Sequence, residues 1–307
     1  MKALFLLIVS GILAGGVFIA GKQAGGAQVS AWLILFWQMA GGAMVVWLVS
    51  WPSRRFPVWN AAYVRYYLIG GLLGVSLPYV LAFTALQELQ VGMVGLLTAL
   101  SPVVTYAMAR TLGLERNHPL RLLGLVIGFG GVAMLVMNGE SMSFSGNGFF
   151  MLLALGIPVT LAASNIYRSR YWPSGSEALP LVIGMLTVQS VWLFFVNLAM
   201  GNFQGVVTMG MDVGMLLFGL GLMAGASYLS SFNLLKVGGP VYLSQMGYVI
   251  TAVTILAGIA LWDESYNQRD LMSIGLILSG VLLTTLTQGA WYQKVTTSNR
   301  EKLNESD

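Results

Sequence analysis

The chain lacks cysteine and is poor in charged and metal-binding side chains. Its 307 residues contain no Cys, one His and only 8% Lys, Arg, Asp and Glu. The absence of Cys excludes a disulfide framework and a thiolate metal site. The single histidine, His118, stands next to Pro119 in a predicted loop, so no histidine-based triad or metal centre can form in the membrane. We therefore predict that the protein is not an enzyme and uses no metal or cofactor.

Apolar residues, in contrast, dominate the composition. They make up 57% of the chain, and the mean hydropathy is +0.78. A soluble domain of this length could not hide so much apolar surface, so the chain is predicted to lie in a lipid bilayer. The formal net charge of +4 is small and spread over loops and tail, without the basic patch that nucleic-acid binding needs.

Apolar segments of roughly 20 residues can cross the bilayer as α-helices. Ten such segments predict an all-α integral membrane protein with ten transmembrane helices. They are residues 3–21, 31–50, 66–86, 91–110, 120–137, 148–167, 178–200, 214–235, 240–261 and 271–289. The polar residues 291–307 are predicted to form a flexible cytoplasmic tail.

The basic residues predict the orientation. With the amino terminus in the cytoplasm, 13 of the 15 Lys and Arg residues lie on the cytoplasmic side, and only Lys22 and Arg269 lie outside. Cytoplasmic loops of membrane proteins carry this excess of positive charge. Ten spans then return the carboxyl terminus to the cytoplasm.

A constant offset of 149 residues relates the two halves of the chain, and it separates Glu115 from Glu264. Because each half holds five spans, the second half enters the membrane in the opposite orientation, as in the inverted-topology repeats of many transporters. The predicted repeats are residues 1–138 and 147–290. The same offset pairs four further identical residues: Tyr79 with Tyr228, Phe83 with Phe232, Thr105 with Thr254 and Gly131 with Gly280.

Several motifs stand in a fixed order along the chain. They are SGILAGGVFIAGKQA, LPYVLAFTALQELQVGMVGLL, SPVVTYAMARTLGLER followed by PLRLLGLVIGFGGVAML, and GIALWDESYNQRDLMSIGLILSGVLL. Together they resemble the helix joints of the EamA-type branch of the drug/metabolite transporter superfamily. The resemblance implies a carrier of metabolites, often an exporter, in a bacterial-type inner membrane. It also implies a central cavity lined mainly by helices 1, 3, 4, 6, 8 and 9.

No charged side chain falls inside a predicted span, because all Lys, Arg, Asp and Glu residues stand in loops, at span ends or in the termini. An ion at bilayer depth is costly, so neutral side chains are expected to bind the substrate. Asn165 and Gln245 are the foremost amides, since they lie on helices that the resemblance assigns to the cavity. Interhelical hydrogen bonding is the alternative role for each.

Aromatic residues form the second predicted group of substrate-binding side chains. Tyr79 and Phe83 are four residues apart and share one helix face, and Tyr228 and Phe232 repeat this face in the second half. Two such faces would suit a flat or apolar part of a substrate, with plain helix packing as the alternative. The predicted substrate site comprises Tyr79, Phe83, Tyr106, Asn165, Tyr228, Phe232, Gln245 and Tyr248.

The positions of proline and glycine predict where helices kink and where two helices pack closely. Pro78, Pro102 and Pro158 each remove a backbone hydrogen bond within a span and are expected to kink helices 3, 4 and 6 as gating elements. Pairs of small residues such as Gly221 and Gly225 let two helices approach closely.

The predicted substrate is a small zwitterionic or uncharged metabolite, with amino acids the leading class. Its opposite charges offset each other, so it could bind oriented amides and helix ends without a full counter-ion. A drug-like compound or a nucleoside or purine is the alternative cargo. The expected partners are the substrate and the lipid bilayer, and the oligomeric state is left open.

Overall fold

The computed structural model describes residues 2–112, 119–137, 144–204, 210–280 and 282–283. All longer regular elements within these residues are helices, and no strand occurs among them. Helices satisfy their own backbone hydrogen bonds, which is what a segment needs in a solvent without water. The prediction of an all-helical membrane protein is therefore confirmed.

The helices follow one another with short connections. In chain order they are α1 Lys2–Gly26, α2 Ala31–Ser50, α3 Ala61–Gly71, a π-helical segment Leu72–Ser76, α4 Leu77–Ala85, α5 Val91–Thr98, α6 Ser101–Thr111, α7 Pro119–Met137, α8 Phe144–Arg170, α9 Ala178–Ala199, α10 Met211–Ser244, α11 Met246–Trp262 and α12 268–280.

Seven helical segments of the described chain are long and apolar enough to cross a membrane. They are Lys2–Gly26, Ala31–Ser50, Ala61–Ala85, Val91–Thr111, Gly148–Arg170, Ala178–Ala199 and Met211–Gly239. Two shorter apolar helices are Leu122–Gly131 and Met246–Trp262. These nine segments and α12 overlap all ten predicted spans, but the predicted tail, residues 291–307, lies outside the described residues.

Breaks in the helices occur near two of the three predicted prolines. Pro78 follows the π-helical segment, and Pro102 follows the turn between α5 and α6. Proline has no N–H, so the helix must locally give up a hydrogen bond before it. Pro158, in contrast, lies inside the continuous helix α8. A further break at Gly239, with φ of 75°, divides α10 directly before Pro240, where the sequence predicts the boundary between the eighth and ninth spans.

The backbone carbonyls near the π-helical segment are served by Gln189 of α9. Its amide nitrogen donates to the carbonyls of Tyr67 at 3.2 Å and Leu68 at 3.3 Å. Its amide oxygen accepts from Ser76 at 2.7 Å and Trp192 at 2.6 Å. Gln189 is thus an interhelical bridge that stabilises irregular backbone at membrane depth.

The segment from α5 to α6 is the most enclosed of the seven, with 89% of its most apolar stretch buried. It packs against α8 and α11, while α1 packs against α10 and α11. Helices α2 and α9 pack against each other at the side of this core, and α2 also crosses α10. The helices around α5 and α6 therefore enclose the centre of the protein.

The crossing of α2 and α10 depends on glycine. A Cβ atom added to Gly221 would meet the Cα of Gly41 at 2.8 Å, closer than side chains tolerate, and Gly225 faces Gly42 in the same way. The predicted close approach at Gly221 and Gly225 therefore occurs, because only glycine lets two backbones come this near.

We expect Gly221→Ala to destabilise the protein by about 1–3 kcal/mol, the usual cost of overpacking, because the added methyl group meets backbone that cannot rotate away. Gly219→Ala is the matched control on the same helix, since a Cβ there meets nothing within 4 Å. Thermal unfolding in detergent measures both variants. Equal midpoints for the two would contradict the close crossing.

Candidate functional site

A small cavity lies at the centre of the helix bundle. Its volume is about 70 Å³, and α1, α5, α6, α8, α10 and α11 contribute to its wall together with the π-helical segment and α4. Ligand pockets usually measure about 300–1,000 Å³, so this cavity has the size of a subsite and must widen to admit a whole metabolite. Most of its lining is apolar, and a few polar side chains converge on it.

Aromatic rings from both halves of the chain meet at the cavity. The rings of Tyr79 and Tyr228 are 6.3 Å apart at 62°, and Phe18 contacts Tyr79 edge-on at 5.5 Å. These are the separations at which aromatic pairs attract. The hydroxyl of Tyr228 lies near Tyr79 but in a geometry that makes no hydrogen bond. Residues 149 positions apart in the sequence thus lie in direct contact.

A buried arginine also lines the cavity. Arg168 stands in the last turn of α8 and is only 4% exposed. Its Nη2 donates to Oδ1 of Asn165 at 3.0 Å, and its guanidinium lies 5.2 Å from the ring of Phe232. Its Nε has no hydrogen-bond partner in the part of the chain that the structure describes. Within the described residues, no Asp or Glu forms an ion pair with Arg168.

This arginine corrects the expectation that no charge lies inside a span. The apolar pattern placed the end of the sixth span at residue 167, but α8 continues to Arg170 and carries Arg168 into the protein. Arg168 follows Asn165 by three residues and Ser164 by four, the spacing that puts side chains on one helix face. That spacing was the available signal, although it does not tell whether the face points inward.

Hydroxyl groups complete the polar lining. Those of Thr98, Ser227 and Ser231 donate to the backbone carbonyls of Val94, Ser10 and Tyr228. The Oγ of Ser101, in contrast, is buried without a hydrogen-bond partner. Sequence reasoning had not selected these residues, because serine and threonine are common in helices of membrane proteins as local backbone partners. The cavity therefore contains both satisfied and unsatisfied polar groups.

Three of the eight predicted substrate-site residues line this cavity: Tyr79, Asn165 and Tyr228. Phe83 packs beside Tyr79 with ring centres 5.7 Å apart, and Phe232 lies under Arg168. The other three stand outside the lining: Tyr106 is fully buried in α6, Tyr248 is half-buried in α11, and Gln245 is half-buried at the break between α10 and α11.

A second buried charged group, Glu264, lies at the beginning of α5. Its carboxylate accepts from the backbone N–H of Val91 at 2.7 Å and of Gly92 at 3.2 Å. The Tyr266 hydroxyl donates to it at 2.9 Å, and Lys22 lies 3.6 Å away. Burial, together with this carboxylate, raises the pKa of the Tyr266 phenol, which therefore remains a donor. Glu264 thus anchors its turn to backbone N–H groups of α5, whereas Glu115, its equivalent at the offset of 149, lies outside the described residues.

Lys22, near the end of α1, has its ammonium group among protein partners. It donates to the carbonyl of Leu89 at 2.8 Å and lies 5.7 Å from the ring of Trp262. A second, mostly polar cavity of about 480 Å³ begins at Lys22 and Trp262. Lys22 therefore lies both beside the Glu264 carboxylate and in the wall of this second cavity.

Comparisons with known proteins agree with this architecture. Residues 1–137 match the EamA-like transporter family. The uncharacterized transporter YvbV of Bacillus subtilis (strain 168) is 25% identical over 71% of this chain and 70% of its own. The uncharacterized inner membrane transporter YedA of Escherichia coli (strain K12) is 26% identical over 76% of this chain and 73% of its own.

These matches confirm the resemblance to EamA-type transporters. They support the conclusion that the chain is a multi-pass membrane protein and a transporter. A solved crystal structure supports the shared fold alone: it aligns with 92% of this chain and 96% of its own, with a TM-score of 0.62 at 17% identity.

We call Glu264, its partners Lys22 and Tyr266, and the N–H groups of Val91 and Gly92 the Glu264 cluster. This buried cluster is expected to contribute more to stability than the exposed ion pair of Arg55 and Glu177. Arg55 and Glu177 are only 2.7 Å apart, but their side chains are about half exposed, whereas the Glu264 side chain is 4% exposed. Exposed pairs contribute about 0–1 kcal/mol. Loss of a buried carboxylate that serves several donors costs about 2 kcal/mol or more.

We therefore expect Glu264→Gln to lower the midpoint of thermal unfolding in detergent far more than Glu177→Gln. The glutamine keeps the shape of the side chain but loses the charge that Lys22 and the two backbone N–H groups face. Equal shifts for the two variants would show that the buried cluster contributes no more than a surface ion pair.

Proposed function

We propose that the protein is an inner-membrane secondary transporter that exports or exchanges small neutral or zwitterionic amino acids. Transport would occur by alternating access around the central cavity. The main support for this proposal is the contact between Tyr79 and Tyr228 at the cavity. The same cavity is lined by the polar residues Asn165, Ser101 and Arg168. An amino acid has an apolar part for the rings and charged groups for the polar lining.

The proposed architecture is ten transmembrane helices in two inverted repeats of five, residues 1–138 and 147–290. Helix positions support it: adding 149 to the bounds of α2 gives 180–199, close to α9 Ala178–Ala199, and adding 149 to the first residue of α7 gives 268, where α12 begins. Helix contacts support it as well. Helix α1 packs on α10 and α11, and its counterpart α8 packs on α4 and α6, the counterparts of α10 and α11.

The proposed orientation places both termini in the cytoplasm. The Glu264 cluster then closes the external end of the bundle. The cavity lies further inward along the α5–α6 span, because its lining residues Thr98 and Ser101 follow Val91 by seven to ten residues, or roughly 10–15 Å of helix. The structure is accordingly assigned to a conformation that is closed to the outside.

Labelled substrates in proteoliposomes test the proposed cargo. Vesicles that contain the purified protein are loaded with radiolabelled neutral amino acids, purine nucleosides or cationic dyes, and the efflux and counterflow of each are measured. We expect amino acids to leave fastest, and unlabelled amino acid outside to accelerate exchange. Efflux of nucleosides or dyes without any response to amino acids would instead support the alternative cargo.

Loss of the aromatic pair is expected to reduce this transport. Tyr79→Ala removes the ring that contacts both Phe18 and Tyr228, so we expect efflux to fall at least tenfold while the amount of folded protein in the membrane is retained. Tyr171→Ala is the control, because Tyr171 is 51% exposed and does not line the cavity. Unchanged efflux in Tyr79→Ala would remove the ring from the proposed site.

Cysteine labelling tests the orientation, and no native cysteine interferes. In intact cells we expect a membrane-impermeant maleimide to label Asn267→Cys and to leave Asn117→Cys unlabelled until the membrane is opened. The reverse pattern would invert the proposed topology.

A further inference from the structure

The central cavity contains a positive charge that has no counter-charge among the described residues. Arg168 is buried there, and Asn165 supplies its only hydrogen bond among the contacts found in the described residues. Asn165 is neutral, and the ring of Phe232 compensates the charge only in part. A buried cation normally has an anionic partner, because removal of an ion from water costs several kcal/mol.

Lys22 is a cation of the same protein that has a structural role, and it offers a comparison with Arg168. Its ammonium group has both a carboxylate, Glu264, and a backbone carbonyl, that of Leu89, within reach. Within the described part of the chain Arg168 has neither, although it is the more deeply buried of the two. Lys22 therefore has polar partners that compensate its charge, whereas the charge of Arg168, which faces the cavity, is not compensated by the described residues.

Two further polar groups at the cavity are buried. Among the described residues, neither the hydroxyl of Tyr228, which lies near Tyr79, nor the Oγ of Ser101 has a partner in hydrogen-bond geometry. Both residues line the same cavity as Arg168, as does Gly74, where an added Cβ would come within 3.6 Å of the guanidinium carbon. Buried polar groups are nearly always hydrogen-bonded, so three unsatisfied donors around one cavity indicate a missing acceptor.

We propose that Arg168, assisted by the hydroxyls of Ser101 and Tyr228, binds a carboxylate group of the transported substrate. A guanidinium presents two parallel N–H donors that match the two oxygens of a carboxylate. The volume of about 70 Å³ suits one small anionic group. A phosphate, with its larger charge, would call for more than this single cation.

The inference rests on the proposed function and narrows it, because it requires that the cargo carry one negative charge near its apolar part. Zwitterionic amino acids and simple aromatic monocarboxylates meet this requirement. Nucleosides and cationic dyes do not, since they offer no anion to Arg168. The inference therefore separates the leading cargo from the alternative on chemical grounds.

Matched pairs of compounds test the subsite in the purified protein. The probes are phenylpropionate with phenylpropionamide, and L-phenylalanine with L-phenylalaninamide, which differ only in the carboxylate. Binding is measured as the rise in the midpoint of thermal unfolding with ligand concentration. We expect at least one carboxylate to stabilise the wild-type protein and its amide to bind about ten- to a hundredfold more weakly. Equal stabilisation by acid and amide, or none by either acid, would overturn the proposal.

Substitutions distinguish a binding role from a structural one. Arg168→Gln is expected to abolish the preference for the carboxylate and to leave the midpoint without ligand unchanged or raised, because it removes an uncompensated buried charge. A purely structural arginine would instead give a lower midpoint and an intact preference in the folded fraction. Tyr228→Phe removes only the unpaired hydroxyl and should weaken carboxylate binding severalfold. Arg170→Gln is the control, since Arg170 is exposed two residues away on α8.

Transport results keep this inference separate from the proposed function. If the wild-type protein binds the carboxylates through Arg168 but moves no amino acid in vesicles, the proposed cargo fails and the subsite stands. If amino acids are transported and their amides are transported equally well, the cargo class stands and the subsite fails.

Discussion

The Glu264 carboxylate holds together segments that are far apart in the sequence. It accepts from the first two backbone N–H groups of α5, follows α11 directly, and attracts Lys22 of α1. Unsatisfied N–H groups at a helix start are costly in a medium without water, and a buried carboxylate is costly without donors. Each group therefore compensates the other. This one arrangement joins α1, α5 and the end of α11 beside Trp262, in addition to the packing of these helices on one another.

Arg168 shows the opposite treatment of a buried charge. Glu264 has four donors around it, whereas Arg168 leaves its Nε without a partner and has one neutral acceptor. A protein that lowered its own free energy as far as possible would replace such a residue with an apolar one, since burial of an unpaired ion is unfavourable. The residual free energy at Arg168 is available to a ligand that brings the missing anion. The number of partners around each buried charge therefore distinguishes the structural role of Glu264 from the proposed binding role of Arg168.

Much of the fold could be predicted because its signals are local. Apolar segments identify helices, and the offset of 149 pairs Tyr79 with Tyr228, whose rings lie 6.3 Å apart in the structure. The cavity was harder to predict. Hydropathy ended the sixth span before Arg168, and no local pattern tells whether a long basic side chain at a helix end extends to the interface or turns inward. Gln245 was selected as an amide on a cavity helix, but it stands at the break between α10 and α11, six residues after the kink at Gly239.

The same offset indicates that the two ends of the proposed repeats are not equivalent. It pairs Glu264 with Glu115, whose surroundings lie outside the described residues, and it pairs Val91 with Pro240. Val91 donates the shorter of the two backbone hydrogen bonds to Glu264, at 2.7 Å, whereas proline has no N–H to donate. A carboxylate cap with the same two backbone donors therefore cannot form at Pro240. Transporters with inverted repeats exchange the conformations of their halves. The proposed exchange would therefore lack, on the Pro240 side, one of the two backbone donors that serve Glu264.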